Sequence, residues 1–133
     1  MLKALIIDTS GVARGLLNTV LTDGGYEVVG ATHTMGQGLA LAVKHRPQII
    51  CIARENIEDG SGVTEELRAR LPKSLIFMVS GAIDAATVQS SLALGINGFV
   101  VKPFKADAVL KTIRTAVLAL IRKQQEAAGG QQG

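Results

Sequence analysis

Apolar and polar positions alternate along the chain in short blocks, and the blocks change period as they go. "KALIID" (3–8) is a short apolar run that ends at an acid. "SGVARGLLNTVLTDGG" (10–25) then places Val12, Leu16, Leu17, Val20 and Leu21 at helical spacing and stops at a glycine pair. "YEVVGA" (26–31) predicts a second strand, and "TMGQGLALAVKHR" (34–46) a helix diluted by two glycines. Pro47 opens the apolar run "QIICIA" (48–53). Ser61 is placed to cap the helix "GVTEELRARL" (62–71). "SLIFMVS" (74–80) predicts the fourth strand, and Asp84 is placed to cap "AATVQSSLALG" (85–95). "NGFVV" (97–101) predicts the fifth strand. A last helix runs from about Lys105 to Gln125, with Val109, Ile113, Val117, Leu120 and Ile121 on one side.

Five strands alternating with five helices predict an α/β fold. The central strands are continuous apolar runs, as expected when helices cover both faces of a parallel sheet. Right-handed crossovers make it doubly wound. No internal repeat or interior linker breaks the series. Residues 1–125 form the expected domain, and 126–133, "EAAGGQQG" from Glu126, the expected flexible tail. Nothing after residue 125 reads as an output domain, so direct transcriptional control is not expected.

Composition narrows the function classes. The chain has 133 residues, long enough for one domain with a real core. Its aromatic content is one Tyr and three Phe, so the core must be aliphatic and flavin stacking has little support. The net charge of +3 is spread along the chain, which argues against a nucleic-acid surface. The single cysteine, Cys51, cannot close an internal disulfide and sits mid-strand as a small core hydrophobe. No apolar run is long enough to span a membrane, and "MLKALIID" lacks the regions of a signal peptide. A cytoplasmic protein is expected.

In an open parallel sheet, function collects beyond the C-terminal strand ends, near the switch point. That directs attention to Asp8 and Thr9, the stretch Ala53 to Asp59, Ser80 and Gly81, and Lys102 and Pro103. No GxGxxG or P-loop pattern follows any strand.

"GINGFVVKPF" (95–104) carries a resemblance. Gly95, Gly98, Phe99, Lys102, Pro103 and Phe104 are spaced as in the receiver domains of bacterial response regulators. "IID" after the first strand and Ser80 at the fourth strand end agree with it. The resemblance covers residues 2 to 124 and implies the flavodoxin-like receiver fold with strand order 2-1-3-4-5. It also implies a chemistry. A receiver accepts a phosphoryl group from a kinase histidine onto an aspartate at the third strand tip. Two acids after the first strand, with that aspartate, hold Mg²⁺. A lysine and a Ser or Thr hydroxyl meet the phosphoryl group, and an aromatic residue on the fifth strand turns inward.

This chain departs from that pattern. Asp8 matches the first acid, but Thr9 stands at the second. The phosphoacceptor position falls on Ala53 counting from Pro47, or on Arg54 counting back from Gly62. Neither forms an acyl phosphate, which needs a carboxylate nucleophile. Asp8 alone is a poor Mg²⁺ site. Lys102, Pro103, Ser80 and Phe99 remain. The expectation is therefore a non-enzymatic, phosphorylation-independent signalling module with no metal and no cofactor, acting on protein partners such as a histidine kinase or another two-component protein. Two alternatives stand beside it: a working receiver that uses Asp59 or Glu55, and a flavodoxin-like small-molecule binder.

The pocket residues also have plainer readings. Lys102 either neutralises Asp8 or contacts a ligand; a buried carboxylate needs a partner. Arg54 competes for the same acid or points to solvent. Ser80 serves a switch or bonds local backbone. Phe99 is a switch or core. From Ala85 to Val101 the chain has no charge. A helix face carrying Thr87, Gln89 and Ser90 in place of charged groups suits protein contact. The resemblance implies that the fourth helix, fifth strand and fifth helix form the usual docking surface of receivers, so this is the expected interaction face, for a partner or for a homodimer.

Overall fold

The computed structural model describes the backbone of residues 1–132 and the side chains of residues 1–127. Its elements are β1 (Lys3–Ile7), α1 (Gly11–Asp23), β2 (Glu27–Thr32), α2 (Met35–His45), β3 (Ile49–Ala53), α3 (Arg54–Ile57), α4 (Val63–Arg70), β4 (Leu75–Ser80), α5 (Ala85–Ala93), β5 (Gly98–Val101) and α6 (Ala106–Gln132). All pairings are parallel, and the strand order is β2-β1-β3-β4-β5.

The period-2 alternation of the strands sorts the core into two layers. Ala4, Ile6, Ile49, Cys51, Phe77 and Val100 pack with Leu17, Leu21, Val109 and Ile113, so α1 and α6 cover one face. Leu5, Ile7, Ile50, Ile52, Ile76 and Met78 pack with Met35, Ala42, Leu67 and Leu71, so α2 and α4 cover the other. β3 lies between β1 and β4 and is buried throughout. Burial pushes the Cys51 thiol up to about 12, so it stays protonated and inert.

Several expectations are corrected. α3 is a sixth helix, in a segment expected to be loop. Arg54 and Glu58 pair across its one turn at 2.8 Å, and Asn56 faces inward. In α1 the buried residues are Ala13, Leu17 and Leu21, while Val12 and Leu16 are 75% and 55% exposed. Val12 and Leu16 sit about 100° around the helix from the buried row, outside the stripe the sheet covers. Gly62, not Ser61, caps α4, and the Ser61 hydroxyl instead accepts from the Val63 amide at 3.3 Å. Asp84 caps α5 by accepting from the Thr87 amide at 2.8 Å. The glycines of α2 differ in role. A Cβ at Gly38 would collide with the Ile7 side chain, so Gly38 sets how closely α2 approaches β1. Ile121 is exposed, because α6 turns it away from the sheet. The helix continues past residue 125 without a break; Gly133 and the side chains from 128 lie outside the described residues. No helix among the described residues is long and apolar enough to cross a membrane.

Candidate functional site

The parallel sheet brings the five loops after its strands to one edge, with β1 next to both β2 and β3. Asp8 follows β1 and is 3% exposed. Its Oδ1 accepts from the Ser10 amide at 2.8 Å, and its Oδ2 lies 3.1 Å from Lys102 Nζ. Lys102 is on the loop after β5, and its peptide bond to Pro103 is cis. The backbone carbonyl of Asp8 accepts from Arg14 Nη1 at 2.7 Å. Of the two cations expected to compete for Asp8, Lys102 holds it and Arg54 does not.

Arg54 turns the other way. Its Nε donates to Glu58 at 2.8 Å and its Nη1 to the Ala82 carbonyl at 3.2 Å. The Glu58 carboxylate, with Asp84 and Glu55 nearby, raises the Arg54 pKa. The same Ala82 carbonyl accepts from the Ser80 hydroxyl at 2.8 Å, and the Ala82 amide donates back to that hydroxyl at 3.2 Å. Ser80 thus satisfies itself within its own loop. Ala53 closes β3 fully buried. Thr9 is exposed, with its amide donating to Asn56 Oδ1 at 3.2 Å.

Asn56 is the site residue that sequence reasoning missed. It is 4% exposed, and its Nδ2 also donates to the His33 carbonyl at 3.0 Å. It therefore joins the loops after β1, β2 and β3. The available signal was its identity: Asn56 is the only amide among the acids and glycines of "RENIEDGSG" (54–62). None of the acids of that segment is among the partners of Asp8. Asp59 accepts from the Ser61 amide at 2.8 Å, and Glu55, Glu58 and Asp59 are all exposed.

A magnesium ion prefers near-octahedral oxygen ligands, usually including one or two free carboxylates. Here the one carboxylate in the pocket has both oxygens engaged, and Ala53 offers no side-chain donor. Among the described residues no group of three or more His, Cys, Asp and Glu could hold a metal ion. The donor set does not fit Mg²⁺.

Beside the pocket, β5 and α6 pack together, and α5 precedes β5 in the chain. Phe99 is partly buried against the layer of Ile76 and Met78. Thr87 is buried, contrary to its expected place on the outer face. It shares the inward row of α5 with Ser91, whose hydroxyl lies 3.8 Å from Met78 Sδ. Gln89 and Ser90 are exposed, as are Leu92 (60%) and Val101 (54%). A groove of about 440 Å³ follows β5 and α6, lined among others by Phe99, Val101, Lys102, Lys105, Ala108 and Thr112.

Residues 4–114 match the response regulator receiver domain. The chain belongs to that family. It is a receiver domain of the kind found in two-component signalling. Among curated relatives it is similar to the chemotaxis protein CheY of Listeria monocytogenes, 27% identical over 117 residues, with 87% of this chain and 98% of the relative covered. The chemotaxis protein CheY of Bacillus subtilis is 28% identical over 112 residues, covering 84% and 93%. Among solved structures, the chemotaxis protein CheY4 of Vibrio cholerae superposes with a TM-score of 0.78 at 29% identity, covering 87% of this chain and 98% of that one. The signal receiver domain of a modulated diguanylate cyclase from Desulfovibrio desulfuricans gives the same score at 21% identity and supports the fold alone. The five-stranded receiver fold expected from the sequence is thereby established for this chain.

Proposed function

We propose that this receiver domain signals without accepting a phosphoryl group, by presenting its α5–β5–α6 side to a protein partner. One observation carries the reading: the third strand tip is Ala53 followed by Arg54, and that arginine is spent on Glu58 and Ala82. Acyl phosphate formation needs a carboxylate at the strand tip. Asp8, the carboxylate in the pocket, is held by Lys102. Asp59 and Glu55, the remaining acceptor candidates, are exposed on the loop beyond it. The module is then a binding device and not a catalyst.

The partner is a signalling protein, such as a two-component kinase, that brings carboxylates. The groove along β5 carries Lys105 beside the Asp8-paired Lys102 and has no acidic lining. A two-fold homodimer through this side would bring two sets of lysines into one interface, so an acidic partner fits better. Leu92, Val101 and uncharged Gln89 and Ser90 supply the apolar and weakly polar contact area.

Incubation with acetyl phosphate or phosphoramidate in millimolar Mg²⁺, followed by intact mass measurement, tests the reading. The expected spectrum has no phosphoryl adduct. A labile adduct mapping to Asp59 or Glu55 would establish the working receiver instead.

A further inference from the structure

The polar contacts at the strand ends form a closed circuit. The Lys102 side chain joins the loop after β5 to Asp8 after β1. Asn56, after β3, joins Thr9 after β1 and His33 after β2. Arg54, also after β3, joins the Ala82 carbonyl after β4. The Lys102 amide donates to the Ser80 carbonyl at 3.0 Å and returns β5 to β4. All five loops are thus tied by side chains and backbone of this chain. Two of the ties rest on polar groups with little access to water, Asp8 and Asn56, and leaving such groups unpaired is costly.

We propose that this circuit is a built-in latch, with Asn56 and Arg54 as its positioning residues. It holds the five loops and the start of α5 in one arrangement with no ion or transferred group present. Ala82 is the output end. It lies two residues before Asp84, whose carboxylate caps α5, so a fixed Ala82 fixes where α5 begins. The regulatory meaning, a constitutively presented α5 face, rests on the function proposed above. The latch itself does not depend on it.

Amide hydrogen exchange on the full chain tests the latch. Arg54 lies at the surface, so Arg54→Ala should fold. The expected result is roughly tenfold faster exchange at Ala82, Thr87 and Val88, the change that loss of one ordinary hydrogen bond makes in a local opening equilibrium. Exchange at Thr9, which Arg54 does not touch, should rise as well, while strand amides of Ile50 and Ile76 stay unchanged. Asn56→Ala should give the converse, with Thr9 directly affected and Ala82 affected through the circuit. If Asn56→Ala does not fold, the Arg54→Ala pattern alone decides. Unchanged exchange at Thr87 and Val88, or a rise confined to Ala82, would overturn the latch. A phosphoryl adduct in the mass experiment with the exchange pattern intact would overturn the proposed function and leave the latch standing.

Discussion

Lys102 Nζ lies 3.1 Å from Asp8 Oδ2, and the carboxylate it meets is almost completely buried while the ammonium keeps partial access to water. The pair joins the first and last loops of the sheet edge. Burial of the acid makes the attraction consequential, and exposure of the lysine limits it.

Replacing Lys102 with Met should therefore destabilise the protein by up to about 3 kcal/mol, the low end of the cost of stranding one member of a buried pair. Asp8→Asn combined with Lys102→Met should recover much of the loss, because no uncompensated charge remains. Urea denaturation of the wild type, both single variants and the double variant measures the coupling. Coupling indistinguishable from zero would mean that the Ser10 amide alone satisfies Asp8.

How much of this was legible beforehand follows from what each contact requires. Asp8 and Lys102 were readable because both fall directly after strands, whose C-terminal ends a parallel sheet places at one edge. The apolar strand runs likewise left little freedom about the order of layers. The identity of Asn56 stood out, but its role was not readable, because its partners are backbone atoms of Thr9 and His33, 47 and 23 residues away. Backbone groups carry no sequence signature. Thr87 was misplaced for a different reason. α5 has mostly small residues and its largest apolar side chain, Leu92, is exposed, so no apolar stripe sets its rotation about its own axis. The neighbouring Met78 sulfur and the inward row with Ser91 decide it.

The cap of α5 gives a pH dependence. Hydrogen bonds from Thr87, chiefly its backbone amide, hold Asp84 below the ordinary carboxylate pKa of 3.8. A lowered folded-state pKa contributes stability that is present above the unfolded value and lost as pH falls through the folded value. The α5 amides should therefore keep their protection down to about pH 4 and lose it below. Asp84→Asn keeps a capping side chain and should remove this local acid sensitivity. Exchange at Thr87 and Val88 between pH 5 and pH 2.5 follows it, and an identical pH profile in both proteins would exclude Asp84 as the source.

Two glycines two residues apart on α2 should respond to the same substitution with opposite signs. A Cβ at Gly36 meets nothing within 4 Å, so Gly36→Ala should stabilise the protein by about 0.5–1 kcal/mol through helix propensity. At Gly38 the same methyl meets the Ile7 side chain in a packed layer. Overpacking of that kind costs roughly 1–3 kcal/mol, which outweighs the propensity gain. Thermal melts of the two variants should move in opposite directions. Stabilisation by both would mean that Ile7 repacks freely.

The burial of Cys51 supplies a clock. Its sulfur lies in the middle of the central strand, between Ile6 on β1 and Phe77 on β4, and no other thiol exists in the chain. A thiol reagent reaches it only when the layer of α1 and α6 lifts from the sheet or the whole fold opens, and burial keeps it unreactive until then. The labelling rate of the unaltered protein therefore times the opening of its innermost layer, separately from the loosening of the loops at the edge. A partner that binds the folded domain should slow that clock in proportion to its affinity, which makes the native cysteine a reporter for searching out what this domain recognises.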